Sequence, residues 1–394
     1  MPFFARKKPT EAAIILVYNM RILFLVPYPA GKAPSQRFRY EQYLDYLTKA
    51  GHTYTVRSFM SDATWDILYK PGHQLPKMLG TIGGFLRRLI CLPEALAYDW
   101  VFIHREAAPI GPPVIEWLLT KVLRRKVVYD FDDAIWMALT SKHNQLAALV
   151  KWHGKVASIC RWSYRVSCGN DFLCDYARQY NSRVVLNPTT IDTVHLHNRT
   201  KDQRPNGPVV LGWTGTHSNM VYLASLLPVL RRLEDEGQQF IFRVISNQNP
   251  HLDLRSFDYV PWRKATEMDD LITFNVGVMP LEEQVSSLAL GKCGFKSLQY
   301  MALGIPALAS PVGVNTKIIV DGQDGFLCET PEQWYQALRQ LLTDADLRTH
   351  LGAHAQQTVR QRYSVLSNAD NFLALFDLAS APASVVRPRP ALAH

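Results

Sequence analysis

The chain has six cysteines in 394 residues, and no two of them are spaced C-x-x-C. Cys91, Cys160, Cys168, Cys174, Cys293 and Cys328 stand apart, which excludes a zinc ribbon and a dithiol redox motif. Scattered single thiols in a large chain are the usage of a reducing cytoplasm. No apolar run reaches the roughly 18 residues that a membrane-spanning helix needs. The N-terminus MPFFARKKPTEAAIILVYNM starts basic and turns briefly apolar, but it has no small-residue cleavage site and runs into RILFLVPYP. Residues 1–19 are therefore expected to be an extension before a first strand. The first loop, PYPAGKAPSQR, lacks G-x-G-x-x-G, and G-x-x-x-x-G-K-[ST] occurs nowhere. These absences exclude the usual dinucleotide fingerprint and a P-loop NTPase. Acidic residues are in deficit, 34 against 43 basic, for a net charge of +9. That balance favours anionic partners. No aromatic and basic residues interleave in the manner of a nucleic-acid module, so nucleic acid is not an expected partner.

What is present is a repeated strand–helix grammar. With 47% hydrophobic and 20% charged residues, the chain is an ordinary globular one, long enough for two domains at about 150 residues each. RILFLV (21–26), a helical pattern through SQRFRYEQYLDYLTKAGH with Ser35 as N-cap and Gly51 as stop, and TYTVRSF open the chain. DWVFIH, PPVIEWLLTKVLRR and KVVYDF repeat the unit, as do YRVSCG, DFLCDYARQY and SRVVLNP. Residues 193–207 are polar and aperiodic, a linker by composition. The grammar then restarts with PVVLGWTG, a helix over 219–233, QFIFRVIS, FNVGVMPL, PALAS and GFLCE. The expected fold is α/β, two doubly wound Rossmann-like domains (20–192 and 208–366) with a ligand cleft at the strands' C-terminal ends. A last helix at 367–378 is expected to pack back on the first domain, and the small, proline-rich tail 379–394 to be disordered.

The stretch GKCGFKSLQYMALGIPALASPVG (291–313) carries the chemistry. Phe295, Leu298, Met301 and Ala302 fall at helical spacing and would face the sheet. Lys296 and Gln299 share another face, and Lys292 lies about a turn earlier. Free N–H groups of Gly294 and Phe295, the helix dipole and two ammonium groups would then converge on one helix end, an arrangement suited to a diphosphate. Two solvated lysines at an exposed helix start fit the same pattern.

This stretch, followed by VDGQDGFL and by LRQLLTDADLRTHLGAHAQQTVRQRYS, resembles the donor-binding half of GT-B retaining glycosyltransferases of family 4. The likeness is closer in the second domain than in the first, where DWVFIHRE and LNPTTID carry it. It implies a nucleotide-diphosphate-sugar donor, a cell-envelope polysaccharide or lipid-linked acceptor, retention, and no cofactor or metal. It also implies roles: His104, Lys292 and Lys296 in catalysis; Gly31, Gly215, Thr216, His217, Trp262, Gly294, Phe295 and Gln299 in donor binding. Two family glutamates are replaced, the second by Gln299 and the first by Gly291. Those departures keep open a catalytically silent nucleotide- or glycan-binding protein of the same fold, and a sugar-nucleotide epimerase. Asp130 and Asp132 form a D-x-D similar to that of metal-dependent transferases of the other large fold, and read here as helix capping or acceptor contact. His350 and His354 read as a solvated helix face. PKMLGTIGGFLRRLICL (76–92) is apolar with Lys77, Arg87 and Arg88, and fits either a membrane-surface helix or an internal one. The expected location is cytoplasmic, with the inner membrane face as a candidate peripheral surface.

Overall fold

The structure is a computed structural model that describes residues 19–68, 70–137, 152–204, 207–282 and 287–378. The N-terminal extension up to residue 18 and the tail 379–394 lie outside the described residues. Two six-stranded parallel sheets organise the chain. The first takes β1 (Arg21–Val26), β2 (Thr53–Ser58), β3 (Trp100–His104), β4 (Lys126–Phe131), β5 (Arg165–Cys168) and β6 (Val184–Leu186) in the order β2-β1-β3-β4-β5-β6. The second takes β7 (Val209–Gly215), β8 (Phe240–Ser246), β9 (Phe257–Pro261), β10 (Val276–Met279), β11 (Ala307–Ala309) and β12 (Gly325–Leu327) in the order β12-β11-β10-β7-β8-β9. Helices cover both faces, so the central strands are buried on both sides and read as unbroken apolar runs such as WVFIH. Strand order reverses between β1 and β3 in one sheet and between β7 and β10 in the other, and a ligand crevice opens at such reversals.

Several elements depart from the sequence reading. The segment after β1 is not one helix. It breaks into Pro34–Arg37, a 3-10 turn Glu41–Tyr43 and Leu44–Lys49. Ser35 is not its cap; Ala33 is, without a side-chain bond, because Pro34 opens the helix at a position where its missing N–H costs nothing. The break turns Arg37 and Arg39 inward. The pattern over 219–233 splits into a 3-10 segment His217–Ser225 and a helix Leu227–Asp235, with Pro228 in the latter's first turn. β9 was not legible as a strand, since its half-exposed edge position removes the apolar run.

The chain crosses between the domains twice, side by side. Ile191 N–H donates to Tyr363 O at 2.9 Å and Val365 N–H to Ile191 O at 3.0 Å. Residues beyond the first crossing lie against the second domain: Lys201 N–H donates to Leu303 O at 2.7 Å, and Gln203 donates to Gly304 O at 3.2 Å. After the second crossing, the helix Val365–Leu373 returns to the first sheet. There Phe372 stacks on Tyr43 with ring centroids 4.4 Å apart and planes 7° from parallel. Phe372→Ala should cost about 3–5 kcal/mol of stability, read as a lower urea midpoint. A loss within ~0.5 kcal/mol would show that this helix is dispensable for the first domain.

Candidate functional site

Three neighbouring strands of the first sheet end in polar side chains at one level. In the parallel register His104 on β3 lies beside Asp130 on β4, and Asp130 beside Ser167 on β5. All three are fully buried. Asp130 accepts from His104 Nδ1 at 2.9 Å, from Ser167 Oγ at 2.6 Å and from the Arg39 guanidinium. Arg39 also donates to Asn187 O, just past β6. Burial alone would raise the Asp130 carboxyl, but Arg39 and His104 outweigh it and hold it well below the usual carboxylate range. An ionised Asp130 can only accept here, so His104 Nδ1 carries the proton of this bond. Nε2 is buried and has no hydrogen-bond partner among the described residues. His104 thus ends its strand as expected but is enclosed, with the Tyr40 ring 6.0 Å away.

On the second domain, β7 ends at Gly215 and the helix Phe295–Ala302 starts close by. Gly294 caps that helix in the left-handed region, φ 68°, and offers no side-chain acceptor to the first-turn N–H groups. Lys296 leans over the Trp213 ring, Nζ 5.6 Å from its centroid, and its Cε packs at the Gly215 backbone. Burial first, and then the neighbouring Lys292, pushes its pKa down to about 8. Among the described residues no carboxylate pairs with it, whereas Lys292 pairs with Asp133 of the first domain at 3.1 Å. Thr216 and His217 are exposed at the loop, with His217 N–H donating to Asn247 Oδ1 at 2.9 Å.

The remaining expected residues are placed differently. Gln299 does not line an open face with Lys296: it is buried, and its amide lies 3.5 Å from His197 Nε2. Burial, with Arg37 nearby, lowers His197 to about 3, so its ring is neutral, and its Nδ1 has no partner among the described residues. Phe295 meets Phe38 of the first domain, centroids 4.3 Å apart, instead of the sheet. The Trp262 indole donates to Glu267 Oε1 at 3.2 Å, and Glu267 pairs with Arg37 across the cleft at 2.6 Å. Gly31 follows β1, and a Cβ built there would sit 2.7 Å from Lys264 Nζ. Neither aspartate of the D-x-D caps a helix among the described residues: Asp132 pairs with Arg105 at 2.8 Å while Asp130 holds Arg39. No group of three or more metal-ligating side chains occurs among the described residues. His354 is half-buried beside the exposed His350, with rings 4.4 Å apart.

Residues 209–344 match the family model Glycosyl transferases group 1. Sucrose-phosphate synthase (tll1590) from Thermosynechococcus elongatus superposes with a TM-score of 0.65 at 13% identity, over 91% of this chain and 98% of that one. Starch synthase IV from Arabidopsis thaliana, bound to ADP and acarbose, gives 0.64 at 10% identity over 91% and 99%. Anabaena Alr3699/HepE, in complex with UDP and glucose, gives 0.60 at 12% identity over 90% and 98%. The fold is that of the GT-B glycosyltransferases. Spore coat protein SA of Bacillus subtilis (strain 168) is 26% identical over 80 residues, and the chain spans about a fifth of the length of that curated relative (21%). In this GT-B frame, Arg39, Asp133, Trp213 and Lys264 are residues around the cleft that the sequence reading missed, and Asp130 was read only as half of a D-x-D. The register sets the last residue of WVFIH beside the next-to-last residues of KVVYDF and RVSC, so His104, Asp130 and Ser167 share one row that alignment of the strand ends would miss by one residue.

Asp130→Asn leaves the Arg39 guanidinium buried and uncompensated. It should cost about 3–5 kcal/mol, measured by urea unfolding. Because the native carboxyl is depressed, wild type holds this contribution above the ordinary aspartate range and loses it as pH falls further. The stability gap between wild type and variant should therefore narrow on acidification. A gap that stays constant from neutral pH to below ~3 would argue against an ionised Asp130.

Proposed function

We propose that the protein is a retaining glycosyltransferase that moves a sugar from a nucleotide-diphosphate donor to a cell-envelope glycan or lipid-linked acceptor, working in the cytoplasm against the membrane face. The observation that carries this reading is Lys296: a half-buried ammonium at a helix start, beside a second lysine, with no carboxylate of its own among the described residues. The HepE structures with UDP and with UDP-glucose support a nucleotide-sugar donor, since they share the fold. In the proposed seat the diphosphate meets the uncapped N–H groups of the Phe295–Ala302 helix and the Lys292 and Lys296 ammonium groups. As the bond from the sugar to the diphosphate breaks, negative charge grows on the leaving phosphate, and those groups are already oriented toward it. His104, held by Asp130, is enclosed here, so a sugar hydroxyl reaches its Nε2 only when the side chains over it move aside.

A charged Lys296 is disfavoured in the free protein, and an anion reverses that. Diphosphate binding should take up a proton near pH 8, with affinity falling as pH rises through that value. Calorimetric titration with UDP and ADP in buffers of different ionisation enthalpy measures the uptake directly. Lys296→Met should abolish it and lower turnover about 10²–10³-fold. If this variant binds either diphosphate like wild type with the same pH profile, the anion site lies elsewhere.

One observation favours the silent binder as a second reading. Gly291 stands where the family has a glutamate, and a Cβ there would lie 2.8 Å from Ala134 Cβ of the first domain. Gly291→Glu cannot restore the family residue without parting the domains, so it should lower the melting temperature and leave turnover no faster. Slow release of sugar from the donor, without acceptor, separates the enzyme from the binder; a faster Gly291→Glu variant would mean that the glutamate's place is open.

A further inference from the structure

The helix Gln74–Glu94 is packed inside out. Its inward face carries Gly80, Gly84 and Arg88: a Cβ added at Gly84 would strike the Phe59 ring at 2.5 Å, and one at Gly80 would strike Thr64 Oγ1 at 2.3 Å. Arg88 is fully buried and donates to the carbonyls of Ala107, Arg57 and Val26 at 2.6, 3.0 and 2.7 Å. The outward face is the apolar one. Leu75, Leu79, Ile82, Leu86, Leu89 and Ile90 recur at helical spacing and are between 48% and 69% exposed. A helix lying on a soluble core hides that stripe and shows its polar face. This one packs Gly84, Phe85, Arg88 and Cys91 inward and still shows the leucine stripe to solvent, over roughly 30 Å of length at 1.5 Å per residue.

The surroundings state what would cover it. The next crossover, between β3 and β4, packs on the same sheet face and leaves Trp117 and Val122 exposed, 44% and 52%. Lys121 and Arg124 are exposed beside them. Acids are scarce on these two segments: Glu94 pairs with Arg57 at 2.7 Å, and Glu116 is buried with its carboxylate on Ala107 N–H at 2.9 Å. A second copy of a chain with net charge +9 would bring the same sign to this surface. An apolar stripe bordered by cations and free of unpaired acids matches an anionic bilayer. No helix among the described residues is long and apolar enough to cross one.

We propose that the Gln74–Glu94 helix lies flat in the interface of an anionic membrane, with its leucine stripe among the acyl chains and Lys121 and Arg124 at the headgroups. The proposal deepens the membrane element of the proposed function by naming the surface and the lipid charge. It needs no step of sugar transfer. Arg88 ties the helix to the C-terminal end of β1, so its N-terminal half lies on the cleft side of the sheet, where a lipid-linked acceptor would enter.

The test is flotation of the full chain, without donor, with phosphatidylcholine vesicles that either contain or lack phosphatidylglycerol. Wild type should float only with the anionic vesicles, and less so at high salt. Ile82→Glu with Leu86→Glu, at exposed positions, should lower binding at least about tenfold, ~1.4 kcal/mol, with unchanged circular dichroism. Lys121→Glu with Arg124→Glu should lower binding to the anionic vesicles alone. Wild type that stays off both vesicles, or an Ile82→Glu/Leu86→Glu variant that binds as well as wild type, overturns the proposal. So does a wild-type dimer that binds no vesicle and that the stripe variant converts to monomer, which would make the stripe a protein interface. UDP binding, measured separately by calorimetry, keeps failure here distinct from failure of the transferase reading.

Discussion

A carboxylate removed from water has to be answered on every side, and Asp130 is answered from four segments of the first domain. Its own strand β4 carries it, β3 supplies His104, β5 supplies Ser167, and the broken helical segment after β1 supplies Arg39. Arg39 extends the network to Asn187 O beyond β6. The mouth of the sheet is consequently set by one charge cluster, in which removing any partner leaves another buried and unpaired. The irregular path of residues 34–49 follows from it. A continuous helix would place Arg37 and Arg39 on different faces, whereas the observed break buries both, one on Asp130 and one on Glu267 of the second domain.

The second domain meets this frame through contacts of opposite character. Phe38 on Phe295 and Arg37 on Glu267 are close and largely buried, while Lys292 on Asp133 is half-exposed. The ion pair that is easiest to exchange therefore sits at the start of the Phe295–Ala302 helix, next to the lysine that has no carboxylate partner among the described residues. The paired crossings at Ile191 and Ser364 put the covalent connections between the domains in one place. Closure at the mouth then depends on side-chain contacts, and those contacts are concentrated on the residues that flank the proposed diphosphate seat.

How far the sequence carried the reading differs by element, for physical reasons. Buried parallel strands announce themselves, because both faces need apolar side chains, and RILFLV, WVFIH, KVVYDF and FIFRVIS were all legible. β9, at an edge, had no such signature. The convergence of Lys292, Gly294 and Lys296 on one helix start was legible because helix geometry alone brings them together. Gln299 was misplaced, since the same spacing argument cannot know that His197, a hundred residues away in an aperiodic segment, packs over it. Asp130 was read as a fragment of a short motif, whereas its role comes from strand register, a long-range property that no local pattern contains.

The residues hardest to read are those whose contribution is the side chain they lack. At Gly215 an added Cβ would press on the Trp213 ring at 2.7 Å and Lys296 Cε at 2.9 Å; at Gly291 it would meet Ala134, and at Gly31 it would meet Lys264. Each of these glycines stands where another part of the cleft closes in, Lys264 and Ala134 from the opposite domain. Sequence can name such positions, but only the fold shows that they decide how near the two domains can come. The absence of a glutamate at 291 is then no simple deletion from a family pattern. The missing side chain at 291 lets the first domain bring Asp133 and Ala134 against the lysine-bearing loop, so the close approach of the domains at this position has its structural cause in a glycine.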